Sequence, residues 1–153
     1  MTTTIDRALT SGEIALLKSV FSGTITYPSV QVHNYKYIFF QPDDTAMKPN
    51  GEIYFPPGRY KADFSVSTLS DRAWIVHEAA HLYQYYSLKW NVKVRGIVDR
   101  NHDYKLDPAK KFQDYGLEEQ GDIAQDYYTL REGGMIGRPY KLSDYATLLP
   151  FPP

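Results

Sequence analysis

His77-Glu78-Ala79-Ala80-His81 sets two imidazoles and a carboxylate inside an otherwise apolar segment, with Ala73-Trp74-Ile75-Val76 before it and Leu82-Tyr83 after it. Four residues of α-helix amount to about 400° of rotation and about 6 Å of rise, so His77 and His81 stack on one face. Both can then reach one ion. Glu78 lies about 100° round the helix from His77 and about 60° from His81, close enough to the same sector to hold a water bound to that ion. Ile75, Ala79, Leu82 and Tyr86 recur at helical spacing on the opposite side, which predicts a buried helix. Ionisable groups on the front of such a helix need a partner. A metal ion supplies one, and a structural cluster of His/Glu hydrogen bonds is the alternative.

Composition narrows the chemistry. There is no cysteine, which removes disulfides, thiolate metal sites and cysteine nucleophiles together, so any metal must use His and carboxylate. Lys and Arg number 17 against 18 Asp and Glu, and this balance argues against nucleic acid as a partner. At 153 residues, positions 1–153 are expected to form a single domain around one core. Met1-Thr2-Thr3-Thr4-Ile5-Asp6-Arg7 has neither a basic n-region nor an apolar h-region, and no apolar run approaches a membrane span. The expected product is soluble and made in the cytoplasm. Tyr is used 14 times, which favours half-polar surfaces or a groove.

Along the chain, Thr10-Ser11-Gly12-Glu13 has the form of a capping box, with a helix to Val20 or Phe21. Residues Thr24 to Phe40 are rich in Val, Ile, Tyr and Thr and read as one or two strands, ended by turn chemistry at Pro42-Asp43-Asp44. A polar turn at Lys48-Pro49-Asn50-Gly51 leads into the strand Glu52-Ile53-Tyr54-Phe55, stopped by Pro56-Pro57-Gly58. A strand bounded by proline belongs at a sheet edge, where an unpaired backbone row could hold an extended peptide. The central helix is capped by Thr68 or Ser70 and runs to Leu88 or Trp90. Val92 to Val98 could add a small strand. A second long helix covers Glu118 to Leu130, ended by Gly133-Gly134, and the tail from Met135 should wrap the surface in extended form. The fold class is α+β: a small, mostly antiparallel sheet with an edge strand, packed on two long helices.

A hydrolytic zinc ion needs three protein ligands and one open position. His77 and His81 supply two, and Glu118 or Glu119 on the second helix the third. Glu118 is preferred, because Asp122 on its face can then accept a hydrogen bond from a ligand imidazole, whereas Glu119 suits a solvated first-turn charge. Gln84 falls near the metal face, to contact substrate or merely to pack. In the polar stretch after Val98, His102 is a candidate further ligand or transition-state donor, and Tyr104 a phenol that could donate to a developing oxyanion. Each has an ordinary loop or packing role as its alternative. Glu78 would take a proton from zinc-activated water and pass it to a leaving amine.

His77-Glu78-x-x-His81 followed by a glutamate and an aspartate on a later helix resembles the zincin superfamily of gluzincin type. Val76-His77-Glu78-Ala79-Ala80-His81-Leu82-Tyr83-Gln84 with Tyr115-Gly116-Leu117-Glu118-Glu119-Gln120 is similar to small zincin-like domains of bacterial loci for type VI secretion spike proteins and Rhs toxins. The resemblance implies a zinc peptidase acting on protein or cell-wall peptide, or a docking module whose zinc is structural. It also implies export without a signal peptide, with a spike or a cognate immunity protein as partner. Gly121, a poor helix former just after the glutamates, predicts that the second helix starts late or bends.

Overall fold

The computed structural model describes residues 3–36, 51–92, 95, 99–149 and 151. Strand β1 (Asp6–Ala8) leads through Thr10 into helix α1 (Ser11–Phe21). Thr10 Oγ1 accepts from the Glu13 amide at 3.0 Å and Glu13 Oε1 accepts from the Thr10 amide at 2.9 Å, the reciprocal cap expected from the sequence. Glu13 does more than cap. Its fully buried carboxylate pairs with Arg7 Nη1 at 2.8 Å and takes the Phe64 amide at 2.9 Å, tying β1, α1 and the 64–66 turn together. Glu13→Ala should therefore lower stability by about 3 kcal/mol or more, because Arg7 and two amides lose their partner at once. The denaturant midpoint measures this, and a loss under about 1 kcal/mol would show that water replaces the carboxylate.

Strands β2 (Gln31–His33) and β3 (Ile53–Tyr54) complete a three-stranded sheet in the order β1-β2-β3. β1 pairs antiparallel with β2, whereas β2 and β3 are parallel. The sheet is thus mixed: the stretch between His33 and Ile53 is long enough for the crossover that parallel pairing requires. Only Gln31–His33 of the strand-rich stretch after Thr24 forms a strand among the described residues, because Pro28 opens a 3₁₀ turn at Tyr27–Ser29. Residues 37–50, including the expected turn at Pro42-Asp43-Asp44, lie outside the described residues, as does most of the expected Val92–Val98 strand.

Helix α2 (Leu69–Tyr86) starts where Thr68 Oγ1 accepts the Asp71 amide at 3.2 Å. It ends before Leu88, and at Lys89 the backbone turns left-handed, with φ 58°. Every residue from Ile75 to Gln84 is buried, so this helix is the centre of the molecule. Helix α3 (Leu117–Arg131) packs along it. Asp99 Oδ2 takes the Leu117 amide at 2.8 Å and Glu119 Oε1 the Gly116 amide at 2.9 Å, satisfying amides at the start of α3. Gly133, at φ 86°, stops it. Gly121 neither delays nor interrupts α3, contrary to its helix propensity. The tail is not simply extended: it makes a helical turn, α4 (Leu142–Tyr145), that buries Tyr145, and Leu149 beyond it is also buried in the core.

Candidate metal centre

The long α2–α3 contact brings three donors to one point. His77, His81 and Glu118 each offer a ligand atom, and these atoms lie within 4.8 Å of one another. Glu118 Oε1 is 3.1 Å from Nε2 of His77 and 3.1 Å from Nε2 of His81. Both imidazoles are buried, and the Glu118 side chain is 22% exposed, so the cluster opens to solvent on the α3 side. Glu78 is buried one residue from His77, and its charge acts on that imidazole.

Each imidazole is oriented from behind. His77 Nδ1 lies 3.1 Å from Asp122 Oδ1, an ion-pair contact that falls short of good hydrogen-bond geometry. His81 Nδ1 lies 2.9 Å from Gln84 Oε1. Gln84 Nε2 in turn donates to the Leu117 carbonyl at 2.9 Å and to Gln120 Oε1 at 3.0 Å, and Gln120 Nε2 donates to the Tyr115 carbonyl at 2.9 Å. Carbonyls only accept, so the oxygen of Gln84 must face His81, and His81 must carry its proton on Nδ1. In the neutral ring, Nε2 then turns a lone pair toward the Glu118 carboxylate. Two acceptors 3.1 Å apart repel unless a second proton or a metal ion lies between them, and zinc, with its preference for imidazole and carboxylate, fits this donor set.

The electrostatics agree. Burial opposes a charge on His77, yet the Asp122 and Glu118 carboxylates, with Glu78, outweigh it and push its pKa up to about 10. A bound cation in place of that proton would meet the same surrounding carboxylates. Burial likewise opposes ionisation of Asp122, but His77 and then His102 hold its carboxyl below the usual carboxylate range.

The other candidates take different places. Glu119 caps α3 and accepts Asn101 Nδ2 at 3.1 Å, leaving the cluster to Glu118. His102, with a side chain 55% exposed, gives Nδ1 to Asp122 Oδ2 at 2.7 Å, and its ring lies nearly parallel to that of His77 with centroids 6.3 Å apart. Tyr104 is buried, its hydroxyl donating to Asp126 at 2.6 Å and meeting Tyr145 at 2.5 Å. Asp126 stands eight residues, about 12 Å of helix, beyond Glu118. Burial, then Asp126, raises the Tyr104 phenol far above its ordinary range. These contacts give Tyr104 a packing role between α3 and the tail.

No protein-family model matches the chain. The solved effector domain of Pseudomonas aeruginosa VgrG2b superimposes on it with a TM-score of 0.76 at 35% sequence identity, covering 83% of this chain and 75% of that one. The chain belongs to the family of that effector domain. The type VI secretion system spike protein VgrG2b of the same organism is 37% identical over 131 residues, which make up 80% of this chain and 13% of the spike protein.

In this member of the VgrG2b effector-domain family, two residues at the centre carry no chemistry legible from spacing. Gly121 faces His77 so closely that a Cβ there would sit 2.7 Å from His77 Cε1 and 2.8 Å from Nε2. Gln120 holds Gln84 from the facing helix. A hydrophilic residue inside an apolar helical face was the available sign for Gln120, and a glycine inside a helix was the sign for Gly121. A cation that binds only the folded site should also stabilise it. Zinc at about a thousand times its dissociation constant would add about 4 kcal/mol, roughly 10 °C in melting temperature. Differential scanning fluorimetry with and without zinc checks this, and an unchanged melting temperature would count against the site.

Proposed function

We propose that this chain is a zinc-dependent metallopeptidase of the secretion-effector kind, hydrolysing peptide bonds in protein or in cell-wall peptide. The observation that carries the reading is the convergence of His77, His81 and Glu118 within 4.8 Å, with the His81 lone pair aimed at the same point. Zinc held there supplies Lewis acidity toward a water and a substrate carbonyl. Glu78 takes the proton from the attacking water and carries it to the leaving nitrogen. Asp122 and Gln84 keep the two imidazoles in register, and the solvent side, where Glu118 is partly exposed and His102 stands, is where substrate enters. His102 spends Nδ1 on Asp122 and is not among the three converging donors, which supports an open coordination position over a closed structural site.

The effector role is supported by membership in the VgrG2b effector-domain family, whose namesake is a type VI secretion spike protein. We take the route to be export through that apparatus after synthesis in the cytoplasm, with a spike or a cognate immunity protein as partner. No helix among the described residues is long and apolar enough to cross a membrane. The test is incubation of zinc-loaded wild type and Glu78→Gln with casein and with cell-wall fragments. Cleavage by wild type alone is expected, whereas equal cleavage by both, or by neither, would contradict the reading.

A further inference from the structure

The two imidazoles are held by different chemistry, and the difference has a direction. Behind His77 stands a carboxylate, Asp122; behind His81 stands a neutral amide, Gln84, backed by a second, Gln120. Both glutamines are fully buried. Their orientation is fixed at two points by backbone carbonyls at the entry to α3, Leu117 for Gln84 and Tyr115 for Gln120. Every bond therefore runs one way: Gln120 donates to Tyr115, Gln84 donates to Gln120 and Leu117, and His81 donates to Gln84. With Glu78, Glu118 and Asp122 already close, a neutral acceptor orients His81 without adding another buried negative charge.

We propose that Gln84 and Gln120 are positioning residues, a directional amide relay that runs from the entry to α3 across to α2 and presents His81 to the metal through Nε2 in a single tautomer. Gln84 acts on His81 directly and Gln120 acts only through Gln84. The relay also makes the ligand geometry depend on the register of α2 against α3, because two of its anchors lie at or just before the first turn of α3. It rests on the zinc reading above.

The probe is zinc alone, titrated into metal-free protein against a chromophoric chelator. Replacing Gln84 with Met, which keeps the volume, should weaken zinc binding about 10- to 100-fold. Gln120→Met should weaken it less, and the double variant should match Gln84→Met, because Gln120 has no separate route to the metal. Zinc affinity unchanged in Gln84→Met would overturn the relay, and so would two losses that multiply in the double variant. Should Gln84→Met fail to fold, ¹⁵N NMR of the histidines in zinc-loaded wild type decides. Zinc on His81 Nε2 with a proton retained on Nδ1 supports the relay; zinc on Nδ1 overturns it. Wild type that binds no zinc would instead sink the zinc reading, which separates the two failures.

Discussion

Gly121→Ala is expected to lose about 100-fold in zinc affinity and also to lower the stability of the metal-free protein by about 1 kcal/mol. Both effects have one cause. Alanine favours a helix interior by about 1 kcal/mol over glycine, and Gly121 lies within α3, so propensity alone would stabilise the chain. The new Cβ, however, would meet the His77 ring at 2.7 to 2.9 Å, closer than packed atoms tolerate. The ring is buried and fixed between Asp122 and Glu118, so it must leave the position from which Nε2 meets Glu118. Moving one ligand of three out of place removes most of the chelate geometry on which affinity depends. Chelator competition and the melting temperature of metal-free protein, measured side by side, check this. Normal zinc affinity in Gly121→Ala would show that α2 and α3 can separate at no cost to the site.

Glu78→Gln should leave zinc bound at wild-type stoichiometry and lower turnover by about 10²- to 10⁴-fold, the range expected when a positioned base is removed. The substitution keeps the shape of a buried side chain and removes only the carboxylate that the proposed mechanism uses to carry the proton. Glu78 is not one of the three converging donors, so metal content separates its role from theirs. Glu118→Gln should behave in the opposite sense, losing zinc first and turnover as a consequence. Equal turnover in wild type and Glu78→Gln, at equal zinc content, would exclude Glu78 as the base.

How much was legible beforehand differs by element. The helix carrying His77 and His81 is plain in the sequence, because an apolar stretch with capping residues before it has one stable reading, and the four-residue spacing fixes the shared face. Glu118 is favoured over Glu119 by its relation to Asp122, and the structure shows why the two adjacent carboxylates part. One looks into the α2–α3 seam, while the other turns back to cap its own helix. Gly121 misleads, because propensity is a local quantity and the need for a bare Cα comes from a ring on another helix. Parallel pairing of β3 is invisible for a similar reason, since strand direction depends on a crossover and not on the residues of the strand. Tyr104 shows the limit of residue type: a phenol near the site in sequence is drawn toward Asp126 and the tail by contacts that only the folded chain creates.

The measurement that bears most directly on the central claim is zinc K-edge X-ray absorption on protein purified, stripped and reloaded to saturation. One zinc per chain is expected, with two imidazoles and light oxygen donors at about 2.0–2.1 Å and an exchangeable position among them. Glu118→Gln should alter that spectrum and Glu119→Gln should not. Absence of bound zinc after reloading, or a third imidazole in the first coordination sphere, would contradict the account.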